Sequence, residues 1–197
     1  MTNIVNVGYG STNYYVLGSG TTRLLIDVGW PGTLPTLLSI LRRKDIRLED
    51  IRCLLITHYH PDHAGLAQEI KAHGIRLVML ESQAMGIPLL KTWMKPRDQY
   101  VEITLHDNLV LTTNESRAFL HGIGLAGTIV GTPGHSDDSV TLVLDEGAAF
   151  TGDLPLPLDG AEDFEMVSRS WRLIRQHNAR LIYPGHGPIR PLPVVID

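Results

Sequence analysis

A largely apolar run, Ile51 to Ile56, interrupted only by Arg52, leads directly into Thr57-His58-Tyr59-His60-Pro61-Asp62-His63. Such a run suits a strand buried on both faces, so its sheet must be covered on each side by another layer. Pro61 cannot continue a central strand but is well suited to the first turn of a helix. The strand therefore delivers three imidazoles and a carboxylate, within six residues, to a strand-to-helix turn. Side chains two apart in an extended segment point the same way, so His58 and His60 can share one ion. Asp62 and His63 project from the helix at a different angle and can serve a second. A lone histidine is ordinarily a hydrogen-bonded surface or core residue, but four ligand-type residues at this density point to metal binding. A structural zinc site would need four ligands that close the coordination shell, so the rest of the chain matters.

The flanking pattern predicts the layers. Asn3 to Val7, Tyr14 to Leu17 and Arg23 to Asp27 have strand character and are separated by Gly8-Tyr9-Gly10 and Gly18-Ser19-Gly20, which reads as a β-meander. Leu34, Leu37, Leu38 and Leu41 fall at helical spacing within 32–43. Arg42-Arg43-Lys44 then sits where cations oppose the helix dipole. A second helix is expected from Asp62 to His73, stopped by Gly74, and a strand at Leu77 to Leu80. Residues 82–95 read as irregular helix. Val101 to Leu105 and Leu109 to Thr112 read as a hairpin around His106-Asp107-Asn108. A helix at Asn114 to His121 follows, then strands Thr128 to Gly131, Val140 to Leu144 and Ala148 to Thr151. Glu162 to His177 is expected to be helical and Leu181 to Tyr183 to form the last strand. Two sheets with helices outside them, a four-layer αβ/βα sandwich in the α/β class, satisfy this order.

The chain has 197 residues, of which 43% are hydrophobic and 19% charged, which fits one compact domain spanning 1–197. A net charge of −4 and the lack of a long Lys/Arg run argue against nucleic-acid binding. The lone Cys53 allows no internal disulfide and, flanked by Ile51, Leu54 and Leu55, is expected in a buried strand. No secretory leader and no apolar run of about 18 residues is present, so the expectation is a cytoplasmic protein without a membrane segment.

Three further ligand-type residues stand in Gly-rich turns at the ends of expected strands: His135 in Gly131-Thr132-Pro133-Gly134-His135-Ser136, Asp153 in Phe150-Thr151-Gly152-Asp153, and His186 in Tyr183-Pro184-Gly185-His186-Gly187. Strand-end loops gathered at one edge of a sandwich are where sites are built. This set, His-x-His-x-Asp-His followed by Gly-His, Gly-Asp and Gly-His, resembles the metallo-β-lactamase superfamily over almost the whole chain, including the early Leu25-Ile26-Asp27-Val28-Gly29 turn. The resemblance implies that His58, His60 and His135 bind one ion, Asp62, His63 and His186 another, with Asp153 bridging them. It makes Asp27 a support for the ligand loop, where its local sequence reads equally as a strand-end turn. His73, His106, His121 and His177 are expected to be solvated. Asp137 and Asp138 read either as turn formers or as supports of the site.

The implied chemistry is hydrolysis of an ester, lactone, thioester or phosphodiester in a small-molecule substrate by a metal-bound hydroxide. The ions would be two divalent metals, zinc by preference, with manganese or iron as alternatives, about 3.5 to 4 Å apart. Asp62 and Asp153 would orient the hydroxide and accept its proton. β-Lactamases of this fold usually lack the bridging aspartate, so Asp153 argues against β-lactam hydrolysis. Glyoxalase II-like thioesterases normally carry a C-terminal helical domain, whereas Gly187 to Asp197 are all that follow His186, which argues against glutathione thioesters. The alternative is a persulfide dioxygenase holding one iron through two histidines and an aspartate. Leu154-Pro155-Leu156-Pro157-Leu158 reads as an apolar wall beside the metals or as a rigid loop. Trp30, Trp93 and Met94 read as pocket residues or, by preference, as core packing.

Overall fold

The structure, a computed structural model, describes residues 1–18, 22–157 and 163–192. The ends of the expected turn at Gly18-Ser19-Gly20 and of the Leu154 to Leu158 run, like Glu162, lie outside them. Strands β1 (Ile4–Asn6), β2 (Tyr15–Leu17) and β3 (Arg23–Ile26) form the antiparallel meander expected from the sequence. Helix α1 (Leu34–Arg43) then crosses to β4 (Ile51–Leu55), which pairs parallel with β3. Strands β5 (Arg76–Leu80) and β6 (Leu109–Leu111) complete a six-stranded sheet in chain order. The second sheet has the order β11-β10-β9-β8-β7, from β7 (Gly127–Gly131), β8 (Val140–Leu144), β9 (Ala148–Gly152), β10 (Leu181–Pro184) and the short β11 (Arg190–Pro191).

Period-two alternation assigns each strand residue to a layer. Leu24, Ile26, Cys53 and Leu55 of the first sheet meet Leu142, Leu144 and Phe150 of the second in the core between the sheets. Their neighbours Leu25 and Leu54 face the opposite way, into a core shared with Leu37 and Leu41 of α1 and with Ile70. On the outside of the second sheet, Val143, Ala149 and Ile182 pack under Val167, Trp171 and Ile174 of α6 (Phe164–Gln176). Helix, sheet, sheet and helix are the four layers of the αβ/βα sandwich. Each fully buried Leu or Ile contributes on the order of 1.5 to 3 kcal/mol, so the three cores together fix how the two sheets face each other. Helix α5 (Thr113–Gly122) opens on a capping box in which Thr112 and Glu115 bond each other's backbone N–H groups. Among the described residues, no helix is long and apolar enough to cross a membrane.

Two local expectations are corrected. The helix expected over Asp62 to His73 is two pieces, α2 (Pro61–Ala64) and α3 (Ala67–Ala72). The break comes at Leu66, with φ −97° and ψ 2°, next to Gly65, where a Cβ would fall 2.4 Å from Pro31 Cδ and 2.7 Å from the Gly29 carbonyl oxygen. The expected hairpin of 101–112 does not form either. Residues 101–104 have no strand structure, and β6 pairs parallel with β5. The alternation in Val101 to Leu105 is misleading, because only Ile103 is buried while Val101 and Leu105 are exposed. The Lys71 ammonium holds this stretch as a loop, donating to the Thr104 carbonyl at 2.8 Å and to the Asn108 side chain. The irregular stretch of 82–95 resolves into 3-10 turns around α4 (Gly86–Leu90).

Candidate metal centre

All seven ligand-type residues follow the C-terminal ends of strands or open the helix after one. His58 and His60 leave β4, and Asp62 and His63 occupy the first turn of α2. His135 lies in the β7–β8 connection, Asp153 just past β9, and His186 just past β10. The two sheets are joined at this edge. The Val140 N–H donates to the Thr57 carbonyl at 2.8 Å, and the Tyr15 hydroxyl donates to the Pro184 carbonyl at 2.9 Å.

The structure brings the seven side chains into three overlapping groups, His58/His60/His135, His58/His63/Asp153 and Asp62/His63/His186. Within each group the ligand atoms lie within 4.8 Å of one another. Asp153 Oδ2 is at the centre, 3.4 Å from His63 Nε2, 3.3 Å from His186 Nε2, 3.8 Å from His135 Nε2 and 4.0 Å from His58 Nε2. His186 Nε2 is 3.1 Å from Asp62 Oδ2, and His60 Nδ1 is 3.0 Å from His135 Nε2. Gly185 permits this convergence, since a Cβ there would fall 2.3 Å from Asp153 Oδ1 and 2.6 Å from His63 Cε1.

Surrounding groups orient these side chains. Asp27, in a left-handed backbone conformation at φ 59°, accepts from the Thr57 N–H and the Thr57 hydroxyl, each at 2.7 Å. Its Oδ2 also lies 2.9 Å from His63 Nδ1. Asp138 Oδ2 accepts the Tyr59 N–H at 2.7 Å, holding the backbone between His58 and His60. It is therefore a support of the site, whereas Asp137 is exposed. Thr12 donates to Asp62 Oδ2 at 3.0 Å, and His186 Nδ1 lies 2.7 Å from the Ser11 carbonyl, so Nε2 of that ring is left to face the carboxylates. Nothing local in the sequence marks Ser11 or Thr12; they reach the site because residues 7–14 fold back beside β10. Thr57, next to His58, could have been suspected from its position.

Burial and neighbouring carboxylates pull the rings of the site in opposite directions. Burial lowers the His58 pKa well below the usual imidazole value, with the neighbouring histidines adding to it, and burial lowers that of His135. Burial opposes the charged form of His63 as well, but the Asp27 and Asp153 carboxylates outweigh it and push the ring up to about 10. Burial would raise Asp153, yet its contact with His63 holds the carboxyl below the ordinary range. His58 Nε2, His63 Nε2 and Asp153 Oδ1 are buried and lack a hydrogen-bond partner. Buried polar atoms are costly when unpaired, and imidazole nitrogens with carboxylate oxygens are a donor set for zinc, iron or manganese. The residues present thus fit divalent metal ions.

The expectation for the tryptophans is corrected. Trp30 and Trp93 are 49% and 59% exposed, and only Met94 packs against the core. The Trp93 ring lies edge-on to His60, with ring centroids 5.3 Å apart. Of the remaining histidines, His73, His106 and His121 are exposed and His177 is half-buried.

A family model described as the metallo-beta-lactamase superfamily matches residues 7–186. The chain belongs to this superfamily. Among curated members it is 31% identical over 187 residues to a beta-lactamase-like protein 2 homolog of Caenorhabditis elegans, covering 90% of this chain and 56% of that protein. It is 30% identical over 187 residues to an atrochrysone carboxyl ACP thioesterase of Aspergillus fumigatus, covering 90% of this chain and 51% of that protein. The chain therefore spans about half the length of the curated relatives it matches. The fold is shared with a crystal structure of a metallo-beta-lactamase family protein from Thermus thermophilus, at a TM-score of 0.73 and 20% identity, covering 97% of this chain and 75% of that one.

Proposed function

We propose that this chain is a metal-dependent hydrolase acting on a small-molecule thioester, its ions held by His58, His60 and His135 on one side and by Asp62, His63 and His186 on the other, with Asp153 between them. The observation that carries the reading is the convergence of four histidine Nε2 atoms, two of them buried and otherwise unpartnered, within 4.0 Å of Asp153 Oδ2. Divalent ions bound to this set supply Lewis acidity and lower the pKa of water to about 7. Zinc is the ion the donor set suits best, with manganese or iron as substitutes.

The chain's own groups do the rest. Asp27, Thr12, Ser11 and Asp138 fix the ligand side chains and their backbone before substrate arrives, so the site needs little reorganisation during reaction. His58 and His63 close its floor, at 1% and 0% exposure. Asp62 and Asp153 remain partly open, at 20% and 17%. These two carboxylates are the groups positioned to orient an attacking water and to accept its proton. The thioester class is supported by the Aspergillus fumigatus thioesterase relative, whose likeness covers 90% of this chain.

The test is a panel of acyl thioesters, esters, lactones, phosphodiesters and a β-lactam, run with an oxygen electrode before and after chelation. Thioester turnover should fall to background on chelation, return with zinc or manganese, and consume no oxygen. Turnover that persists after complete metal removal contradicts the proposal. So does a single bound iron with oxygen uptake on a persulfide.

A further inference from the structure

The stretch from Gln83 to Trp93 is tied to the metal centre at both ends. At its start the buried Gln83 amide donates to the Ile56 carbonyl at 2.9 Å, just ahead of the ligand turn. Gly86, the first residue of α4, packs so closely on Asp138 that a Cβ there would fall 2.5 Å from Oδ2, the oxygen that accepts the Tyr59 N–H. At the other end Trp93 meets the His60 ring. This stretch therefore runs along the rim of the site from the His135 loop to His60.

Ile87 and Leu90 turn into the core, whereas Met85, Leu89 and Trp93 are 77%, 58% and 59% exposed. Met85 and Leu89, four apart, fall on one side of α4 and its N-cap, and Trp93 closes the 3-10 turn that follows. Exposed apolar residues scattered singly need no explanation. Three on one short stretch whose last residue meets the His60 ring are not scattered. Lys91, the cation of the same stretch, is engaged by Glu102 at 2.7 Å.

We propose that Met85, Leu89 and Trp93 form a strip that receives the aliphatic acyl chain of the substrate, which sets chain-length preference. The inference rests on the hydrolase reading above. Trp93 meets the His60 ring, so an acyl chain that leaves the centre on the His60 side passes over the indole. The three side chains carry no charge, and the indole N–H of Trp93 is their one conventional hydrogen-bonding group, so the occupant that matches the strip is a hydrocarbon chain.

The experiment compares acetyl, butyryl and octanoyl thioesters of one small thiol in wild type, Trp93→Phe and Leu89→Asn/Trp93→Ala. In the wild type kcat/KM should rise with chain length. The double variant should lower the octanoyl-to-acetyl ratio about tenfold, as expected when the equivalent of one or two methylenes of contact returns to water, and Trp93→Phe should keep most of it. A second arm follows octanamide binding by the tryptophan fluorescence that distinguishes wild type from Trp93→Phe, and requires no turnover; Leu89→Asn should weaken that binding. An unchanged ratio alongside normal thioester turnover overturns the strip and leaves the hydrolase intact. Octanamide binding that depends on Leu89, in a protein that cleaves no thioester, overturns the hydrolase and supports the strip. Self-association or binding to phosphatidylcholine vesicles through these residues, with the ratio unaffected, identifies another occupant and overturns the proposal.

Discussion

Asp27 Oδ2 lies 2.9 Å from His63 Nδ1, and both side chains are buried beneath the candidate metal centre, at 2% and 0% exposure. The contact fixes Nδ1 as the ring's donor, so Nε2 is presented to Asp62 and Asp153, 3.5 and 3.4 Å away. The same carboxylate holds the Thr57 backbone and hydroxyl, and so couples the strand that delivers His58 to the helix that delivers His63.

Asp27→Asn tests that coupling. An asparagine offers one acceptor oxygen where the carboxylate serves three donors, so at least one buried donor loses its partner. Metal affinity, measured by competition with a chromogenic chelator, should fall about 10- to 100-fold. Stability in urea should fall by about 2 kcal/mol. An unchanged affinity would show that Asp27 is only a turn residue.

Helix α6 carries a second coupling. Ser170 donates to the Pro133 carbonyl and Trp171 to the Pro155 carbonyl, each at 2.7 Å, so adjacent residues of one helix hold the loops that carry His135 and Asp153. Trp171→Phe keeps an aromatic core residue but removes the donor to the Pro155 carbonyl. A loss of about 2 kcal/mol is expected in urea unfolding, together with weaker metal binding. A loss of stability at unchanged metal affinity would mean that the loop holds itself.

Lys71→Met should act locally. Removing the ammonium frees residues 104–108, which it ties to α3. Hydrogen exchange in that stretch should speed up markedly while global stability changes by about 1 kcal/mol or less. Protection that survives the substitution would mean that Ile103 burial alone holds the loop.

The strands, most helices and their layering were legible because burial imposes a period: Leu24 and Ile26 face one core and Leu25 the other. The seven ligand-type residues were legible because their residue types and glycine-marked turns are local features. What escaped depends on contacts distant in sequence. The helix breaks at Leu66, beside a glycine whose Cβ position is taken by Pro31 and the Gly29 carbonyl. Lys71 holds a loop whose alternation imitates a strand. Thr12 reaches Asp62 across 50 positions of the chain. Trp93 looks like a core residue by type and lies on the rim because Ile87 and Leu90 already occupy the buried side of its segment.

Metal stoichiometry tests the central claim most directly. Elemental analysis of zinc-loaded protein after removal of excess metal should give two ions per chain in the wild type. In Asp153→Ala, with the fold retained by circular dichroism, it should give one or none, because the carboxylate between the two ligand groups is gone. A wild type that saturates at one ion with full hydrolytic activity, or an Asp153→Ala variant that still holds two, would contradict the account.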